Sequence, residues 1–183
     1  MIVFIVGGSK SGKSMLAQDV AKKLEFHSGN LYYLATMKPY DEEDLKRIKN
    51  HINERIGYNF KTIEKDKNLI DIVGSFKSED TILIDSITAL LTNEMFDNNK
   101  INKEVYKKII LNLNTLKDNV KNLIIVSDYI FSDSIIYDEY TENFKRELGK
   151  INIAIGKIAD IVIEVSFKNK IVHKGKDLIG EII

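Results

Sequence analysis

Residues 7–14 read Gly7-Gly8-Ser9-Lys10-Ser11-Gly12-Lys13-Ser14 and satisfy the pattern G-x-x-x-x-G-K-[ST]. The pattern stands where its mechanism requires. The apolar run 2–6 precedes it, as expected of a strand buried on both faces, and residues 14–24 follow with apolar side chains at helical spacing. Glycines let such a loop wrap closely and aim its N–H groups at phosphate oxygens, while the helix N-terminus adds partial positive charge. Lys13 should then reach the β- and γ-phosphates of a nucleoside triphosphate, and the Ser14 hydroxyl should ligate Mg²⁺.

The rest of the chain continues the alternation. Apolar runs at 31–35, 81–85, 123–127 and 161–165 predict strands, with a further extended segment at 58–63. Helical patterns occupy 41–55, 86–96, 103–120 and 139–159, the first opening on the acidic group Asp41-Glu42-Glu43-Asp44 that suits a helix N-terminus. Strands alternating with helices imply an α/β fold with a mostly parallel sheet covered on both faces. The run 170–173 follows the last of these strands too closely for a crossover helix, which predicts an antiparallel hairpin at the sheet edge.

At 183 residues without a linker-like tract, the chain reads as one domain, 1–183. Lys plus Arg and Asp plus Glu both total 27, so no global field would draw it to nucleic acid or an anionic membrane. The absence of cysteine removes disulfides and thiol catalysis. No apolar stretch approaches the roughly 20 residues of a spanning helix, and a soluble, cytoplasmic protein is expected.

Two residues outside the loop carry chemistry. A Mg²⁺ held by one hydroxyl needs a carboxylate behind it, and Asp85 closes the buried run 81–84 at the expected place, although the same position suits the N-cap of the next helix. His51 lies in Arg47-Ile48-Lys49-Asn50-His51-Ile52-Asn53-Glu54-Arg55, one helical turn from each of two arginines, in a chain that has three in all. Either this is a solvated helix face, or the neutral imidazole attacks a phosphorus atom held by the guanidinium groups.

In order and spacing, the Gly-Gly start of the loop, Tyr33-Leu34-Ala35-Thr36, Asp41 and Glu43 ahead of Arg47-Ile48, His51, Arg55 and Thr62-Ile63-Glu64 resemble a known family. So do Ile84-Asp85-Ser86-Ile87-Thr88 with Thr92-Asn93, and Phe144, Gly149 and Asn152. The family is the bifunctional adenosylcobinamide kinase and adenosylcobinamide-phosphate guanylyltransferase of cobalamin biosynthesis. The resemblance implies a RecA-like P-loop NTPase fold, often trimeric. It also implies an enzyme that phosphorylates the aminopropanol hydroxyl of adenosylcobinamide, then guanylylates the product from GTP through a GMP-histidine. By the same carry-over His51 is the nucleophile, residues Gly7 to Ser14 hold the triphosphate of GTP or ATP, Ala35, Thr36, Met37, Ile52, Asn53, Glu54 and Arg55 border the nucleotide, and Glu64 and Asp85 are its acidic contacts.

The chain also departs from the family's pattern. Arg55-Ile56 replaces Arg-Pro, Asp128-Tyr129-Ile130-Phe131 replaces Asn-Glu-Val-Gly, Ile153 replaces Gln, and Phe167-Lys168-Asn169 replaces a glycine-rich turn. These changes are expected mostly away from the nucleotide motifs and bear on the acceptor. They leave room for a small-metabolite kinase in which His51 is structural, or for a nucleotide sensor that transfers nothing. His27 and His173 have no partner motif and receive no role. The run Asp97-Asn98-Asn99-Lys100 reads as a solvated loop and 103–121 as a lysine-rich helix face, while Tyr129, Phe131, Tyr137 and Tyr140 suit either a planar ligand or the core.

Overall fold

The computed structural model describes residues 1–97, 100–102 and 104–181. Its frame is a seven-stranded sheet of β1 (Ile2–Gly7), β2 (Leu31–Ala35), β3 (Lys61–Glu64), β4 (Thr81–Asp85), β7 (Asn122–Asp128), β8 (Ile161–Ser166) and β9 (Asn169–Lys174). Their order across the sheet is β3-β2-β4-β7-β1-β8-β9. Every pairing is parallel except the closing β8–β9 hairpin. The helices are α1 (Lys13–Lys23), α2 (Glu42–Glu54), α3 (Ile87–Met95), α4 (Val105–Asn119) and α5 (Glu139–Ile158).

The two-residue side-chain period of a strand explains why the central strands are apolar without interruption. On β1, Val3 and Ile5 join Leu16, Ala17, Val20 and Ala21 of α1 on one face, while Phe4 joins the core beneath α3, α4 and α5 on the other. The same alternation divides Ile82 and Ile84 from Leu83 on β4, and Leu123 and Ile125 from Ile124 and Val126 on β7. Each such side chain taken from water contributes roughly 1.5–3 kcal/mol. The helix that differs is α2, none of whose residues is buried. Its N-terminus is fixed locally by Asp41, whose carboxylate accepts the Asp44 N–H at 2.8 Å.

Several short elements escaped sequence patterning, among them a 3-10 turn at Ile179–Glu181. Leu69–Ser75 forms a 3-10 helix that buries Leu69 and Val73, too short to show a period. The run 97–100, expected as a solvated loop, instead carries a small antiparallel pair, β5 (Phe96–Asp97) with β6 (Lys100–Ile101). Phe96 stacks on Phe144 of α5 and Asp97 accepts Lys67 Nζ at 2.8 Å, which holds the segment against the body. Asn98, Asn99 and Lys103 of the sequence expectations lie outside the described residues. Helix α4 turns Ile109, Leu113 and Leu116 inward and leaves Lys107 exposed, but Lys108, expected on a solvated face, pairs with the buried Glu94 of α3. Among the described residues no helix is long and apolar enough to cross a membrane.

The β8–β9 turn is built on Phe167 and Lys168, both with left-handed backbones, at φ 50° and 64°. A two-residue hairpin turn with positive φ at both positions matches the twist of the strands it joins and normally employs Asn and Gly. Here two large side chains occupy it.

Ile84 is fully buried in the middle of the sheet. Ile84→Ala should therefore lower the free energy of unfolding by about 2–5 kcal/mol, measured by urea denaturation; a loss below about 1 kcal/mol would contradict this packing.

Candidate nucleotide site

The C-terminal ends of the parallel strands form one row. Ala35 is in register with both Glu64 and Asp85, and Gly7 with both Asp128 and Val165. This is the edge at which open α/β sheets bind ligands. Gly7 leaves β1 so close to its neighbour that an added Cβ would lie 2.4 Å from the Val165 carbonyl oxygen and 2.7 Å from Ser11 Oγ. Gly8, Ser9, Lys10 and Ser11 form the loop, with Lys10 at φ 57°. Gly12, at φ 94°, precedes Lys13 and Ser14 in the first turn of α1. Ser11 is buried, and among the described residues its hydroxyl has no hydrogen-bond partner.

Lys13 is only 9% exposed. Its Nζ donates to the Gly8 carbonyl at 3.2 Å and pairs with Asp128 Oδ1 at 2.7 Å. Sequence reasoning missed Asp128, assigning it to an altered loop remote from the nucleotide. The available signal was the one used for Asp85, an aspartate closing an apolar run beside the phosphate loop. Asp128 is also held through its backbone. Its N–H donates to Thr88 Oγ1 at 3.0 Å, and its carbonyl accepts Asn152 Nδ2 at 3.2 Å. Asn152 is oriented in turn by the Ser127 hydroxyl at 2.8 Å. Breaking one side of such a mostly buried ion pair leaves an uncompensated charge, so the pair is a strong determinant of where Lys13 lies.

Asp85 is engaged differently. Its Oδ2 accepts the Tyr33 hydroxyl at 2.8 Å, and the Arg55 guanidinium lies over the Tyr33 ring, 4.0 Å from its centroid. Ser86, rather than Asp85, caps α3, accepting the Ala89 N–H at 3.3 Å. The capping explanation for Asp85 therefore falls away. Thr36 is fully buried and bridges the same turn, donating its hydroxyl to the Ser86 carbonyl at 2.7 Å and accepting the Ser86 N–H at 2.8 Å. Asn93 holds the Thr36 carbonyl at 2.8 Å and accepts the Tyr40 hydroxyl at 3.0 Å. Met37 follows half-buried, and Glu64 stands exposed at the end of β3.

The cluster expected around His51 is not assembled as the spacing suggested. Arg47 pairs with Glu43 at 2.7 Å, and Arg55, at the cap of α2, turns to Tyr33. Each guanidinium finds a nearer partner than the imidazole. His51 itself has a side chain 35% exposed, with Nδ1 3.4 Å from Glu54 Oε2 and, among the described residues, no hydrogen-bond partner for Nδ1. Ile52, Asn53 and Glu54 are exposed on the same helix end. Elsewhere His173 pairs with Glu164 at 2.8 Å and His27 packs on Phe26.

A buried central strand, a glycine loop gripping its lysine and a row of acidic strand ends define a P-loop nucleotide-binding domain of the RecA-like class. Solved structures agree with that fold. One solved ATPase domain superposes with a TM-score of 0.56 at 14% identity, over 96% of this chain and 77% of that one. A prototypical ATPase from the type III secretion system of pathogenic bacteria gives 0.51 at 12% identity, over 90% and 51%. The family described as cobinamide kinase / cobinamide phosphate guanyltransferase matches residues 3–167, and the chain belongs to it. A curated relative, the bifunctional adenosylcobalamin biosynthesis protein CobU of Salmonella typhimurium (strain LT2), is 30% identical over 97 residues. That alignment covers 52% of this chain and 51% of the relative, about half the length of each.

Burial, and then the charge and hydrogen bond of Asp85, raise the Tyr33 phenol above its ordinary 10.0. A folded value above the unfolded one means that Tyr33 contributes stability below pH 10, lost progressively as the pH rises beyond it. Tyr33→Phe should cost about 1 kcal/mol near neutrality and flatten the decline in stability as the pH rises through and beyond about 10 in urea titrations. An unchanged alkaline slope would remove Tyr33 as its cause.

Proposed function

We propose that the chain, as a single domain spanning 1–183, phosphorylates the aminopropanol hydroxyl of adenosylcobinamide and then transfers GMP from GTP to the product through His51. The observation that carries this reading is family membership across residues 3–167 on a fold whose phosphate loop is fully built. In the kinase step the acceptor oxygen bonds to the γ-phosphorus and the nucleoside diphosphate leaves, with Lys13 and the loop N–H groups neutralising charge on the transferring group. In the second step a ring nitrogen of His51 bonds to the α-phosphorus of GTP and pyrophosphate departs. An acceptor oxygen then displaces the imidazole.

The donor set suits Mg²⁺. Among the described residues there is no group of three or more His, Asp or Glu arranged to hold a metal alone. A P-loop Mg²⁺ needs no such group, because phosphates and water supply most of its ligands. Ser14 and Asp85 would hold it, and it would supply charge neutralisation at the phosphates. Asp85 Oδ2 is already fixed by the Tyr33 hydroxyl, which leaves the other carboxylate oxygen for that task.

Glu54, one turn from His51, lies 3.4 Å from Nδ1, close enough for a small rotation to bring the carboxylate into hydrogen-bond contact with the ring when nucleotide binds. Helix α2 has no buried residue to anchor it, which suits a segment that must deliver the imidazole to bound nucleotide.

Incubation with GTP and Mg²⁺ in the absence of acceptor, followed by intact-mass measurement, should reveal a GMP-sized adduct that His51→Ala abolishes. Adduct-free protein with nucleotide bound would eliminate guanylyl transfer and leave a small-metabolite kinase or a sensor.

A further inference from the structure

The turn that departs from the family's glycine-rich pattern lies at the phosphate loop. Strand β8 pairs with β1 so that Val165 stands opposite Gly7, and the chain reaches Phe167-Lys168 at the same edge of the sheet. The stem of the Lys168 side chain then lies beside Gly12 at the end of the loop. A Cβ placed on Gly12 would be 3.8 Å from Lys168 Cγ. Lys168 is exposed and, among the described residues, has no ion pair or hydrogen bond of its own. Its counterpart Lys13 is differently placed, being buried and already paired with Asp128.

Local propensity alone would put glycine or asparagine at this position, since Lys168 holds φ 64° next to Phe167 at φ 50°. A backbone conformation unsuited to the side chain persists where the side chain does something the turn itself does not require. An unpartnered ammonium whose stem lies against the N-terminal glycine of α1 is suited to one chemical class, a polyphosphate seated in that loop.

We propose that Lys168 is a second phosphate-binding cation of this site, delivered from the β8–β9 hairpin to the phosphate chain of the bound nucleoside triphosphate. The assignment rests on the nucleotide reading given above and adds to it a residue outside the G-x-x-x-x-G-K-[ST] motif. Among the described residues the Lys168 side chain makes no hydrogen bond or ion pair, so its replacement breaks no such contact within the fold. The hairpin is held by its own ladder, with Ser166 in register with Asn169, so the cation is presented from a fixed platform.

The test is equilibrium binding of MgGTP and MgATP to wild type, Lys168→Met, Lys168→Arg, Lys168→Gly and Lys170→Met, the last removing an exposed lysine of the same hairpin. Lys168→Met should weaken both nucleotides about tenfold, as expected for loss of one charge-assisted contact, and lessen the salt dependence of binding, while Lys168→Arg restores affinity. Lys168→Gly should weaken binding equally yet raise the melting temperature, because glycine accepts the left-handed backbone. Affinity unchanged within about twofold in Lys168→Met, or lost to the same degree in Lys170→Met, would overturn the assignment. A wild type that binds no triphosphate removes the nucleotide reading itself, whereas normal binding by both wild type and Lys168→Met removes Lys168 alone.

Discussion

Strand β1 is covered on both faces and flanked on both edges, by β7 and β8, so its chain can emerge only at the C-terminal edge of the sheet. Much of the site follows from that constraint. The residue that leaves the strand must pass within 2.4 Å of the Val165 carbonyl at the position its Cβ would fill, which glycine alone allows. The following helix must begin immediately so that Leu16, Ala17, Val20 and Ala21 can cover the face that Val3 and Ile5 present. Loop and helix dipole are therefore aimed at one point before any ligand is considered.

Neutralisation of charge then decides which strand ends take part. Lys13 is nearly buried and cannot remain without a counter-ion, and Asp128, on the strand adjacent to β1, supplies it. Asp85, on β4 and one strand further away, is held by the Tyr33 hydroxyl with Arg55 beside it. The two carboxylates thus differ in partner and in surroundings although both close an apolar strand. Thr88 and Asn152, from α3 and α5, secure the Asp128 backbone, and Thr36 and Asn93 secure the turn after Asp85. At this edge the backbones around Asp85 and Asp128 are held by hydrogen bonds from elements on both sides of the sheet. Helix α2, which carries His51, buries no residue.

Elements with a sustained period were legible in the sequence: β2 and β4 fall on the residues the patterns indicated, and the other principal strands and helices differ by a residue or two at their ends, except β3, which begins at Lys61 where the expected segment began at 58. What carried no period was invisible, such as the 3-10 turn at Leu69–Ser75 and the β5–β6 pair. The phosphate loop was legible because its residues act in sequence order. The arginines around His51 were misjudged for a complementary reason. Helical spacing states which side chains share a face but not what else competes for them, and Glu43 and the Tyr33 ring lie nearer.

The sequence by itself determined the alternation of strands and helices, the glycine loop with Lys13 and Ser14, and the aspartate at the end of β4, because each is encoded by residues close together in the chain. Only the tertiary structure decided that Asp128 pairs with Lys13, that Tyr33 and Arg55 gather at Asp85, and that Lys168 lies over Gly12. Those contacts join residues 22 to 156 positions apart. Strand order and register bring them together, and these are set by how buried faces pack rather than by any local pattern.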